Sequence, residues 1–212
     1  MSLYLPSHFG VADPQLRDAM ARELIAAHPF ATLVGVREGE PFVTHCPMTV
    51  QPSDDDAAGF VLEGHVARGN PHWRTWQDGA GALAIFHGPH AYVSPTLYER
   101  RENVPTWNYA VVHVSGRPVA IDDADAKHAL LKRLIREVEP AYEAHWNELD
   151  PGYQERMLGG IVGVRVLVDR VDLKLKVSQN RLPVDRDRVR EAFAGGDEAQ
   201  RSLSQWMRRL GV

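Results

Sequence analysis

The stretch "IVGVRVLVDRVDLKLKV" (161–177) carries two apolar sets that are out of step with each other. Val162, Val164, Val166 and Val168 alternate in one phase, whereas Val171, Leu173, Leu175 and Val177 alternate in the other. Neighbouring side chains on a strand point to opposite faces, so the one-residue slip near Asp169-Arg170 requires a β-bulge or a tight turn. Long, bent strands of this kind, combined with several hairpins, predict a closed or partly closed barrel.

The rest of the chain supplies those hairpins. "FATLVGV" (30–36), a "REGE" turn and "PFVTHCPMTV" (41–50) form the first, and "GFVLEGHV" (59–66), "GALAIFHG" (81–88) and "TWNYAVVHVSGRPVAI" (106–121) add three strands. Short connections favour antiparallel pairing over βαβ crossovers. Asp13-Pro14 reads as a cap and first turn, with Leu16, Met20, Leu24 and Ala27 at helical spacing up to His28-Pro29. "DADAKHALLKRLIREVEP" (123–140) is a second helix, with Leu130, Leu131, Leu134, Ile135 and Val138 on one face. Two further helical patterns, 186–194 and 197–210, flank Gly195-Gly196. The expected division is a domain over 1–180 and a C-terminal helical appendage over 181–212.

Composition narrows the function classes. The 212 residues are 44% apolar and 25% charged, which suits a folded core. A net charge of -4 gives no overall attraction to phosphate polymers. The appendage has seven arginines against five Asp or Glu, a slight excess that reads as a solvated face. A single cysteine excludes an internal disulfide and fits a reducing compartment, and no signal-like or membrane-spanning run is evident, so a cytoplasmic location is expected. "QPSDDDAAG" (51–59) reads as an acidic surface loop.

Several chemistries lack their sequence support. Ten histidines show no His-Glu-x-x-His, and His87 and His90 flank a Gly-Pro step instead of sharing a helical face, so no metal is expected. Cys46 reads as a buried thiol, because the adjacent His45 points to the opposite side of the strand. Nucleophile elbow, Walker loop and dinucleotide fingerprint are all missing. What remains is "EGHVARGNPHW" (63–73), where His65 ends a strand, Arg68 supplies a charged fork and Asn70-Pro71 opens a short helix: either an anion seat or a capped helix with a surface arginine. "HGPHAYVSP" (87–95) and "VPTWNYAVVH" (104–113) place Tyr92, Ser94, Trp107, Asn108 and Tyr109 at strand ends, as a flat slot with a few polar groups would require.

"HPFATLV", "PFVTHCPM", "GHVARGNPHW", "FHGPHAYVSPTLY", "NVPTWNYAVVHVSG", "GIVGVRV" and "KLKVSQNR" occur in an order that resembles the PaiB family of FMN-binding negative transcriptional regulators, from about Tyr4 to Arg190. The resemblance implies a β-rich α+β fold, an FMN-binding split β-barrel with flanking helices and a C-terminal helical tail. It also implies a homodimer with FMN at the subunit interface. It places Thr44, His45, His65, Ala67, Arg68 and Asn70 on the phosphate side. His87, His90, Tyr92 and Ser94 fall on the ring side, joined by Trp107, Asn108 and Tyr109 from one subunit or the other, with "SQN" (178–180) as a rim. Departures from the family pattern are Leu97 in "SPTLY", where an aromatic residue is usual, and Val66 and Gly69 in "HVARGNP".

Three functions follow as expectations. The first is a flavin-binding regulator, with direct DNA contact disfavoured by the acidic net charge. The second is a flavin-dependent oxidoreductase of the pyridoxamine-phosphate-oxidase-like class, with Tyr92, His90 or His113 as proton donor and no evident catalytic pair. The third is a heme-binding or heme-degrading protein.

Overall fold

The computed structural model describes residues 3–53 and 59–212. Most of the acidic stretch read as a surface loop therefore lies outside the described residues. Six strands are present: β1 (Phe30–Arg37), β2 (Glu40–Pro52), β3 (Phe60–Ala67), β4 (Ala82–Val93), β5 (Thr106–Ile121) and β6 (Ile161–Lys176). The helices are α1 (Pro14–Ala27), α2 (Ala124–Val138), α3 (Tyr142–Glu148), α4 (Pro151–Gly159), α5 (Pro183–Ala194) and α6 (Glu198–Arg209). Short 3₁₀ turns cover Ser7–Phe9, Pro71–Asp78 and Pro95–Leu97.

Local chemistry accounts for the element ends. Asp13 caps α1 by accepting from the Leu16 amide at 2.8 Å. Asp123 and Asp150 cap α2 and α4 in the same way, and Asp197 with Gln200 forms a capping box at α6. Glu38 and Gly39 both have positive φ (55° and 84°), the backbone that a two-residue hairpin turn demands, and they set the β1–β2 register from Phe30↔Pro47 to Arg37↔Glu40. The sequence pattern predicts neither α3 nor α4, because their apolar positions are few and short of a full stripe.

The hydrogen-bonded strand order is β1-β2-β3-β6-β5-β4. β1 lies antiparallel to β2 and, through Thr32↔Ile85, Leu33↔Ala84 and Val34↔Leu83, to β4; β2 is antiparallel to β3, and β3 to β6. The expected split barrel is therefore corrected. The fold is α+β, a six-stranded antiparallel sheet with flanking helices, and its hydrogen-bonded order closes without a parting because the three-residue β1–β4 ladder joins its two ends.

β6 is continuous, and Asp169 and Arg170 are both exposed between its two buried phases, which makes the slip a bulge and not a turn. β4 contains a second slip where the sequence predicts a strand end. Ala84, Phe86 and Gly88 are buried, then Ala91 and Val93, so His87, His90 and Tyr92 all reach the outer face while the strand runs on through Gly88-Pro89. Gly88 is required there by close approach: a Cβ on it would meet Leu24 Cδ1 of α1 at 2.8 Å.

The chain divides into two compact units, one of His28–Phe86 and His113–Val171, the other of the chain up to Ala27, His87–Val112 and Asp172–Val212. In the first, Leu33, Met48, Phe60, Leu62, Val164 and Val166 are buried. In the second, Met20, Leu24 and Ile25 of α1, Leu173 and Leu175 of β6, Phe193 of α5 and Leu203 and Met207 of α6 are buried. Burying each such side chain stabilises the unit by about 1.5–3 kcal/mol. Gly88→Val should lower unfolding free energy by about 1–3 kcal/mol, measured by urea denaturation, because the added carbons collide with Leu24; an unchanged midpoint would show that α1 yields freely.

Candidate functional site

The first unit holds the residues around the turn from β3 into the 3₁₀ helix. Asn70 caps that helix, its Oδ1 accepting from the His72 amide at 3.0 Å, and its Nδ2 donates to Thr44 Oγ1 at 3.0 Å. Thr44 Oγ1 also meets His72 Nδ1 at 2.9 Å. His72 is fully buried and its Nε2 has no partner among the described residues; it lies so close to Gly35 that a Cβ there would sit 2.5 Å from it. His65 is half-buried, with Nδ1 likewise without a partner. Burial lowers both imidazole pKa values, which keeps the rings neutral at pH 7.

Arg68 is committed to the fold. Its Nε donates to the Gly159 carbonyl at 2.7 Å, Nη1 to Asp122 Oδ2 at 3.1 Å, and Nη2 to both Asp122 Oδ1 and the Ile161 carbonyl. Of the five guanidinium N–H groups one on Nη1 is left over. The hydrogen bond from Arg68 and then that from Lys127 hold the Asp122 carboxyl down to a pKa of about 2. Thr44 and His45 point apart, as neighbours on a strand must: His45 Nδ1 meets Thr32 Oγ1 at 3.1 Å and its ring stacks near Phe30. Ala67 is exposed. Of the six residues predicted on the phosphate side, the structure thus joins Thr44 to Asn70 and sets His45 and Arg68 to other partners.

The second unit holds the predicted ring side. Trp107 of β5 is 52% exposed, with the His90 ring 6.0 Å away and the Tyr92 ring, 49% exposed, meeting it edge-on at 6.2 Å. His87 is exposed farther back on β4. Asn108 faces the other way, fully buried, exchanging hydrogen bonds with Ser178 through Nδ2 to Oγ (2.9 Å) and Oγ to Oδ1 (3.3 Å). Ser94 Oγ is spent on the Thr96 amide at 3.2 Å. Tyr109, two residues on from Trp107, has the ammonium groups of Lys174 and Lys176 at 5.5 and 5.9 Å from its ring centre. Neither lysine was singled out in the sequence, although their alternation with Leu173 and Leu175 puts both on the face that the apolar set leaves.

Other groups have structural roles. Cys46 is buried, and burial pushes its thiol up to about 11. A cavity of about 550 Å³ in the first unit is lined by Arg117, Arg133, Arg165 and Glu63. Glu63 is 2% exposed, and its two oxygens accept from Arg133 and Arg165 separately at 2.6–2.9 Å, so this cluster braces α2 against β3 and β6. None of the predicted site residues lines it. Among the described residues no group of three His, Cys, Asp or Glu side chains could hold a metal ion, and no helix is long and apolar enough to cross a membrane.

A family model described as "Putative FMN-binding domain" matches residues 3–170. The chain belongs to this FMN-binding-domain family. It is 35% identical over 189 residues to "Protease synthase and sporulation protein PAI 2" of Bacillus subtilis, covering 86% of this chain and 85% of that one, which agrees with the resemblance read from the motifs. Among solved structures it is similar to the FAD- and heme-binding protein from Mycobacterium smegmatis (TM-score 0.57, 21% identity, 74% of this chain and 70% of that one). It is also similar to the flavocytochrome Anf3 from Azotobacter vinelandii (TM-score 0.58, 15% identity, 74% and 66%). At those identities the likeness concerns the fold.

Family membership supports FMN as the cofactor, and the side chains fit it. A flavin needs apolar cover for a planar ring, donors for its polar edge and a cationic environment for its phosphate. Exposed Trp107 and Tyr92, the His90 imidazole and the two lysines of the second unit are of the chemistry that would meet all three.

Two measurements test this description. The Cys46 thiol should resist a disulfide reagent at pH 8 in the native protein and react at once in denaturant; rapid native labelling would place it at the surface. Stability should fall as pH drops below about 6.5, because the unfolded chain protonates His65 and His72 while the folded chain does not. It should fall again from about 4 toward 2 as Asp122 is protonated, and Asp122→Asn should flatten only that second arm in urea titrations across pH.

Proposed function

We propose that the protein binds FMN with the isoalloxazine ring against the outer face of β4 and β5 in the second unit, where it meets Trp107, Tyr92 and His90. The observation that carries this reading is the exposure of Trp107 and Tyr92, 52% and 49%, on strands whose other face is buried. Large aromatic side chains left in water at adjoining positions mark a surface that takes a flat partner. Asn108 and Ser178 keep the strand end rigid from behind.

On this reading the protein is a PaiB-type regulator that responds to flavin, acting in the cytoplasm as a homodimer whose second copy covers the outer side of the ring. A net charge of -4 favours regulation through a bound metabolite over tight contact with a duplex. The ring-side set is then Tyr92, His90, Trp107 and Tyr109, with His87 at its margin.

Titration of the purified chain with FMN should quench tryptophan fluorescence and shift the flavin absorption band. Trp107→Ala should raise Kd about tenfold or more, the worth of one stacking contact. A colourless protein whose fluorescence ignores added FMN would overturn the proposal, as would a Trp107→Ala variant with the affinity of the parent.

A further inference from the structure

Lys174 and Lys176 share one face of β6 in the second unit. Lys174 is only 7% exposed; its Nζ donates to the Tyr4 carbonyl at 2.9 Å and lies 5.2 Å from the Tyr4 ring and 5.5 Å from that of Tyr109. Lys176 is half-buried, donates to Thr106 Oγ1 and lies 5.9 Å from the same Tyr109 ring. Arg181, a few residues on, stacks on Tyr98 at 4.2 Å and donates to Asn103 at 2.9 Å. All of these partners are neutral. Both lysines spend a hydrogen bond on a neutral oxygen, and Asp185, the buried acid of α5, accepts from the Glu99 amide while its charge and that of Arg181 both act on Tyr98.

Two ammonium groups held near one another on neutral partners are expensive. Desolvating an ammonium disfavours it unless a counter-charge completes the site, and aromatic faces return only part of that cost. Burial and then the charges of Lys174 and Arg181 lower the Lys176 pKa. Elsewhere the chain neutralises buried charge with opposite charge, as Glu63 does with Arg133 and Arg165, and Lys127 with Asp122. An incoming anion would do the same here. Tyr109 and Trp107 stand two residues apart on β5, so an anion at Lys176 would lie at the border of the aromatic surface formed by Trp107, Tyr92 and His90.

We propose that Lys176, backed by Lys174 and framed by Tyr109 and Thr106, seats the phosphate or carboxylate of a small ligand that lies along the aromatic face of β4 and β5. Two sources share this chemistry: the phosphate of FMN itself, or an anionic second ligand placed beside the flavin. The inference deepens the flavin reading and rests on it for the ring, but the anion seat stands on the lysines alone.

The full chain should be titrated calorimetrically with FMN, with riboflavin and with inorganic phosphate, as the parent, Lys176→Gln and Lys176→Arg. Lys176→Gln should weaken phosphate about tenfold or more, as loss of a charged hydrogen bond does, and Lys176→Arg should restore most of it, with the melting temperature as the control for folding. A parallel loss for FMN with riboflavin unchanged assigns the seat to the flavin phosphate. Unchanged FMN with phosphate lost assigns it to a second ligand. If Lys176→Gln alters the affinity of neither phosphate nor FMN, the proposal is overturned. A parent that binds phosphate through Lys176 but no flavin would sink the flavin reading and leave this one standing; FMN binding indifferent to Lys176, with no phosphate bound, does the reverse.

Discussion

A strand can bury only every second residue, and β6 carries two apolar sets of opposite phase that must both leave water. The bulge at Asp169-Arg170 is what allows this: one extra residue turns the strand over, so that Val162 to Val168 are buried in one stretch and Val171 to Val177 in the next. β4 does the same at Gly88-Pro89. β5 buries every second residue from Asn108 to Pro118 without a slip, with Val111 buried in addition. The outward faces of the second unit follow from those slips. Without the one in β4, His90 and Tyr92 would turn inward; without the one in β6, Lys174 and Lys176 would replace Leu173 and Leu175 in the core.

Charged residues that look like ligands in the sequence are divided by the structure between two tasks. Arg68 and Asp122, with Lys127 beside them, tie the β3 turn to the start of β6, and Glu63 fastens α2 through Arg133 and Arg165. These groups satisfy one another, so their charge is largely consumed inside the fold. Lys174 and Lys176 are arranged in the opposite way, with carbonyl, hydroxyl and aromatic partners. In a chain with more acidic than basic residues, such a cluster is an electrostatic choice that the fold alone does not call for.

The aromatic face and the lysines suit a ligand with a flat ring and an anionic tail, which is the chemistry that family membership supports. The rigid parts of that face are its backing: the buried Asn108–Ser178 pair and the packing of Leu24 on Gly88 hold the two strands at the level where their outer side chains meet. Trp107, Tyr92 and His90 are left to adapt.

Much was legible in the residues themselves. Alternation fixes which residues of a strand share a face, so the β6 slip could be read directly, as could the β1–β2 turn within "REGE" and the cap at Asp13 from their residue types, and motif order sufficed for the family. Three things could not be read. A Gly-Pro step inside a strand looks like a turn until α1 is packed against it, because the reason for the glycine is a leucine 64 positions away. Arg68 looks like an anion clamp until Asp122 and the Gly159 and Ile161 carbonyls are folded onto it. The joining of β1 to β4 depends on long-range pairing that no local pattern encodes. Spacing along the chain sets a side chain's direction; only tertiary contacts set what it finds there, and whether its charge is already answered.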